Sequence, residues 1–205
     1  NHFEAQAAQD AAVEASGALK TVAVSLNKIA NDIRWLGSGP RSGLGEIILP
    51  AVQPGSSIMP GKVNPVICES IIQVCAQVIG NDLAITLGGQ GGVLELNLML
   101  PLIGYNLLQS INILANSSIM FSEKLIDGLK VNKDVCNNYI EGSLAMCTSL
   151  VPEIGYDKAA DLAHIAFETG KTIREVALEQ KVLSESRLNE LLDPVRMTHP
   201  DISPK

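Results

Sequence analysis

Residues 5–36 repeat their apolar side chains with a regularity that leaves a chain few options. Ala5, Ala8, Ala12, Ala15, Leu19, Val22, Leu26, Ile29, Ile33 and Leu36 alternate spacings of three and four throughout. Such spacing puts all of them on one helical face. That narrow seam belongs to a helix packed lengthwise, at a shallow angle, against other helices. It predicts a single rod over 5–36, roughly 48 Å long at 1.5 Å per residue. Ala7, Ala11, Ala18, Ala23 and Ala30 add small surfaces on which a second neighbour can approach closely. A rod of that length points to an extended bundle.

The remaining sequence extends the helical reading. Apolar residues make up 46% of the chain but aromatics only 3%, a mixture suited to close packing through small and aliphatic side chains. From Pro65 to about Leu87 the sequence is apolar nearly all round, as in a helix at the centre of a bundle. Asn64 is expected to cap it, with Pro65 in the first helical position. Glu69, Gln73, Gln77 and Asn81 recur every four residues as one polar stripe, and the last three suit an interhelical hydrogen-bonding seam. "GGQGG" (88–92) breaks the chain, and an apolar segment then runs to about Asp127 with a kink near Pro101. The uncharged stretch from Leu96 to Phe121 is long enough to suggest a membrane span, but its amides and serines suit a helix among helices. Beyond Leu129 shorter, more charged helices are expected: one capped by Asn132 and running to about Leu150, and one ending at Gly170. Another should open on a Thr172–Glu175 capping box, and a last one on Ser184. The fold class is all-α: a long-helix bundle over 1–131, including a mobile signature loop at 37–64, then a small helical domain over 132–205.

Charge and cysteines exclude several functions. The net charge of −7 is spread along the chain, and no basic stripe is present to neutralise phosphates, so no nucleic-acid partner is expected. Cys68, Cys75, Cys136 and Cys147 form no C-x-x-C pair and lie far in sequence from His2, His164 and His199, so no metal site is expected. Reduced thiols suit the cytoplasm. The chain opens on Asn1 within a helical pattern, as a piece of a longer protein would.

Between the first two long helices lies a connection of nearly thirty residues with a proline or glycine every few positions, ending in "PGSSIMPGKVNP" (54–65). Loops of that length are usually functional or disordered. Known glycine motifs fail here. Five residues separate Gly55 from Gly61 and Val63 follows Lys62, which excludes a P-loop; Ser42 stands where the dinucleotide fingerprint needs its third glycine. Ser-x-x-Lys chemistry fails because Lys62 is five and six residues from the two serines. Two readings stay open. One is a well-capped connection. The other is an anion site, in which a helix start, the Lys62 ammonium, the Asn64 amide and the serine hydroxyls receive a small carboxylate. The stretch 53–63 would then close over it and exclude water.

"GSSIMPGKVNP" resembles the signature stretch of the fumarase/aspartase superfamily. "ANDIRWLGSGPRSGLGEI", "QVIGNDLAI", "ELN" (95–97) and "IGYDKAA" (154–160) are similar to the class II fumarase branch, and "SGLGEI" and "IGYDKAA" lean away from aspartase. The resemblance covers essentially the whole chain, as the C-terminal portion of a protein over twice as long. It implies a homotetramer with active sites shared between subunits, acting on fumarate and L-malate without metal or organic cofactor and with no membrane partner. By the same resemblance Ser56 is the base, and Ser57 hydrogen-bonds the substrate. Lys62, the Val63 backbone and Asn64 hold the carboxylate on which charge accumulates, and Glu69 polarises a histidine that activates water. That histidine is none of His2, His164 or His199, so the 205 residues alone are expected to be inactive. Aspartate ammonia-lyase, or another lyase of the superfamily, is the alternative chemistry. A non-catalytic helical assembly protein is the alternative of another class. The compartment implied is the cytoplasm, or the mitochondrial matrix in a eukaryote.

Overall fold

The computed structural model describes residues 1–55 and 58–199. They divide into two compact units, one over Asn1–Val131 and one beginning at Asn132. The described residues are overwhelmingly helical, with only two-residue strands besides.

In the first unit a short helix α1 (His2–Ala7) precedes α2 (Asp10–Leu36). The expected single rod is therefore broken. Ala8 is extended at φ −78° and ψ 140°, and the Ala7 carbonyl abuts Gly92, where a Cβ would stand 3.0 Å from it. A tertiary contact overrides the helical pattern at that point. Along α2 the buried line is Ser16, Ala23 and Ala30, a strict seven-residue repeat, flanked by the partly buried Leu19, Leu26 and Ile33. Val22 and Ile29, expected in the seam, face outward. The alanines win the interior because a methyl lets a neighbouring backbone approach more closely than a branched side chain would.

That neighbour is α3 (Val66–Gly89), which packs on α2 along one side and on α4 (Leu100–Phe121) along the other. Cys68, Ile71, Cys75 and Val78 of α3 form the core with Ala23, Ala30, Leu114 and Phe121. A two-stranded hairpin, β2 (Gly92–Val93) with β3 (Leu96–Asn97), joins α3 to α4. Pro101 lies in the first turn of α4, where no intrahelical N–H is required, and does not kink a longer helix. The buried Asn97 amide donates to the Gly88 carbonyl at 3.1 Å, and its Oδ1 accepts the Met99 N–H at 2.8 Å, tying both helix ends to the turn. α4 ends in a π-helical turn (Ser122–Ile126), followed by β4 (Lys130–Val131), which pairs antiparallel with β1 (Ile47–Ile48).

The polar stripe on α3 joins helices where it is buried. The Asn81 amide donates to Ser110 Oγ at 3.0 Å and Gln109 Oε1 at 2.9 Å on α4, while Gln77 donates to Asn81 Oδ1 at 2.8 Å. Gln73 and Glu69 are exposed. Asp82, one residue on, turns to α2: it is 6% exposed and accepts from Ser16 Oγ at 2.8 Å and Lys20 Nζ at 2.5 Å.

The second unit is built from shorter pieces. α5 (Lys133–Gly142) stops well short of Leu150; a 3₁₀ segment (Leu144–Leu150) takes over and leads into α6 (Val151–Ile154). Asn132 stands at the start of α5 without a side-chain cap bond. α7 (Tyr156–Thr169) ends at Gly170 with φ +69°, and α8 (Ile173–Glu179) opens on the Thr172–Glu175 capping box. α9 (Glu185–Leu191) is capped by Ser184, and α10 (Pro194–Met197) follows. Leu150, Leu162, Ile173, Val176, Leu188 and Leu192 fill its core. Arg174 ties this unit together, with paired bonds to Glu141 at 2.8 and 3.0 Å and a further bond to Asn189 at 2.7 Å.

Candidate active site

The connection between α2 and α3 begins as a structure folded back on the bundle. Ser38 Oγ donates to the Trp35 carbonyl at 2.5 Å and accepts the Leu44 N–H at 3.0 Å, while the Gly45 and Glu46 N–H groups return to Ser38 and Leu36. This turn delivers β1 to β4, and Leu49 then packs on Gly37 and Pro50 on Gly128. Residues up to Pro50 are thus built onto the first unit.

Within that stretch, Met59-Pro60-Gly61-Lys62 forms a turn in which the Lys62 N–H donates to the Met59 carbonyl at 3.3 Å and Gly61 takes φ +79°. Proline then glycine at the two central positions is the chemistry of a type II turn, so "PGK" has a local structural reason. The turn leaves the Lys62 ammonium at the surface and Ile58 87% exposed. At the other end, α3 starts at Val66, with Pro65 in the cap position and no side-chain cap bond. The expected capping by Asn64 is not what the structure shows. The Asn64 amide instead donates to the Gly55 carbonyl, nine residues earlier, across the base of the loop. The backbone there is too close for any side chain: a Cβ on Gly55 would lie 1.7 Å from the Lys62 carbonyl oxygen. Tertiary closure of the loop outbids the local cap.

Glu69 sits exposed in the first turn of α3, its N–H donating to the Pro65 carbonyl. Lys62, Val63, Asn64 and Glu69 therefore lie within two turns of the same helix start. Its unsatisfied N–H groups and dipole favour an anion. Ser56 and Ser57 lie outside the described residues. Beneath the helix start the Cys68 thiol is fully buried and pushed up to about 11 by that burial, with the Arg34 guanidinium acting in the opposite direction. Arg34 Nε, at the end of α2, is buried without a hydrogen-bond partner among the described residues. Neither Arg34 nor the closing role of Gly55 is visible to sequence reasoning. For Gly55 the only signal is a glycine directly before the serine pair. Among the described residues no group of three or more His, Cys, Asp and Glu side chains is placed to hold a metal. A cavity of about 510 Å³, lined by Thr86, Gln90, Asp10 and Glu14 among others, lies at the opposite end of α3, about 35 Å along the helix from the loop.

A family model described as Lyase matches residues 1–80, and one described as Fumarase C C-terminus matches residues 146–199. The chain is 52% identical over 98% of its length to the mitochondrial fumarate hydratase of Danio rerio, covering 39% of that protein. It is 50% identical over 95% of its length to an aspartate ammonia-lyase from a Bacillus species, covering 42% of it. A crystal structure of recombinant class II fumarase from Schistosoma mansoni superposes with a TM-score of 0.91 at 41% identity, over 98% of this chain and 42% of that one. The chain thus spans about two fifths of the length of the curated relatives it matches.

Proposed function

We propose that the protein containing these residues is a fumarate hydratase, adding water reversibly and in the anti sense to fumarate to give L-malate. The observation that carries the reading is the start of α3: Lys62 and Asn64 stand immediately before it, at the end of the loop whose sequence holds two serines. The match of residues 146–199 to the fumarase C C-terminal model supports the hydratase over other chemistries of the superfamily.

In the malate-to-fumarate direction Ser56 removes the proton beside one carboxylate, and the electron pair moves onto that carboxylate to give an aci-carboxylate-like dianion. Lys62 Nζ, the Val63 N–H and the Asn64 amide hold it. Donors fixed in advance toward developing charge are usually the largest catalytic contribution. Asn64 has two N–H groups, and with one on the Gly55 carbonyl the other is left for the substrate. A serine alkoxide is a strong base that needs stabilising, and the ammonium and helix N–H groups at this end of α3 supply that. Ser57 hydrogen-bonds the substrate, and Glu69 polarises a histidine that handles water at the opposite face of the double bond.

We assign the protein to a homotetramer that shares its active sites, in the cytoplasm or the mitochondrial matrix. Supporting the oligomer, α4 carries a row of large apolar side chains in the open, among them Tyr105, Leu108 and Ile119. A single unit leaves these unburied, and contiguous exposed apolar surface of this kind marks association.

The 50% identity to an aspartate ammonia-lyase keeps ammonia release from aspartate as a second reading. The test is an assay of the full-length protein on L-malate and L-aspartate side by side, following fumarate by its ultraviolet absorbance. The reading expects turnover of malate, its loss in Ser56→Ala without a change in melting temperature, and none by the 205 residues alone. Turnover of aspartate only, or an active Ser56→Ala, would overturn it.

A further inference from the structure

We infer that Gly55 and Asn64 form a neck that holds the base of the signature loop in register, and that both are positioning residues for the reaction proposed above, on which this inference rests. Two independent contacts meet at Gly55. Its carbonyl accepts the Asn64 amide, and its Cα lies so close to the other limb that an added Cβ would stand 1.7 Å from the Lys62 oxygen and 3.0 Å from the Val63 nitrogen. One residue therefore touches all three positions assigned to the carboxylate.

The geometric consequence is direct. The separation of the two limbs of the loop at residues 55 and 62 is thus set by this contact and not by the length of chain between them. Only glycine allows this approach, because a methyl group would drive the Lys62 carbonyl aside by more than an ångström. Displacement on that scale costs on the order of a hundredfold in rate where geometry is matched to a transition state. The Asn64 amide works in the same direction: with one N–H fixed on the Gly55 carbonyl, the plane of the amide and the aim of its second N–H are fixed too.

The test uses the full-length protein with two readouts. The first is trypsin cleavage at the exposed Lys62–Val63 bond without substrate, which follows how often the neck opens. The second is the separation of kcat from KM on malate. Gly55→Ala is expected to speed cleavage at that bond by at least about tenfold. It is also expected to lower kcat by about a hundredfold, with KM changed by less than about threefold. Unchanged cleavage, or an unchanged kcat in a protein that turns over malate, overturns the inference. Faster cleavage of the variant, beside a wild-type protein that turns over neither malate nor aspartate, would overturn the functional reading and leave the neck intact. Should Gly55→Ala fail to assemble, Asn64→Ala read by cleavage alone carries the same test: a rate equal to wild type overturns the neck.

Discussion

Replacing Asp82 by alanine tests how α2 and α3 are joined. The carboxylate is 6% exposed and takes the Ser16 hydroxyl at 2.8 Å and the Lys20 ammonium at 2.5 Å. Its removal has three consequences. A hydrogen bond to a charged acceptor disappears, about 1.5–3 kcal/mol. The Lys20 pair is lost as well, but that side chain is 44% exposed and can turn to water, so about 0.5 kcal/mol is appropriate. The buried Ser16 hydroxyl loses its acceptor and must fall back on a carbonyl of its own helix, which recovers part of the cost. Together Asp82→Ala should cost about 2–4 kcal/mol, read in the full-length protein, about two and a half times this length, as a melting temperature lower by about 2–4 °C. Asp82→Asn keeps an oxygen for Ser16 and should cost about 1 kcal/mol. The double variant Ser16→Ala with Asp82→Ala isolates the contact, with an expected coupling of about 1–2 kcal/mol. A cost for Asp82→Ala under about 0.5 kcal/mol, or a coupling of zero, would refute the reasoning, because it would mean the carboxylate is solvated as well as it is bonded.

Two further expectations concern pH. The buried Cys68 thiol is raised from 9.0 to about 11, so its neutral form is favoured in the fold. The associated stability is complete below pH 9 and is lost as pH rises toward 11, up to about 2.7 kcal/mol for two units. Urea midpoints across that window should fall less steeply in Cys68→Ala than in wild type, and parallel slopes would remove the thiol from the explanation. Glu141 is held below the usual carboxylate range first by its hydrogen bonds to Arg174. Its contribution is present above about pH 4.5 and is lost as pH falls through the lowered value. Glu141→Gln should therefore flatten the acid side of the stability profile, and an unchanged acid side would sink the assignment.

Local chemistry was legible in the sequence wherever neighbouring residues alone decide the outcome. The Thr172–Glu175 box, the Ser184 cap and the left-handed Gly170 involve contacts within three or four residues, and the structure has them where residue type places them. Of the expected seam only Asn81 joins helices, through Gln109 and Ser110, while Gln77 bonds Asn81 within α3 and Gln73 is exposed. The all-α class followed from a 3.6-residue period that recurs over most of the chain.

What the sequence could not reveal depends on partners distant along the chain. Periodicity ran through Ala8, yet the helix breaks there, where the Ala7 carbonyl lies beside Gly92, far along the chain. Asn64 had every local qualification for a cap, and the structure turned its amide to Gly55. Asp82 stood among apolar residues with no visible reason until α2 brought Ser16 and Lys20 to it. Spacing specifies which face of a helix is apolar, but not which neighbour covers it. The free energy of a polar group depends on the donor or acceptor it meets, and only the folded chain supplies that.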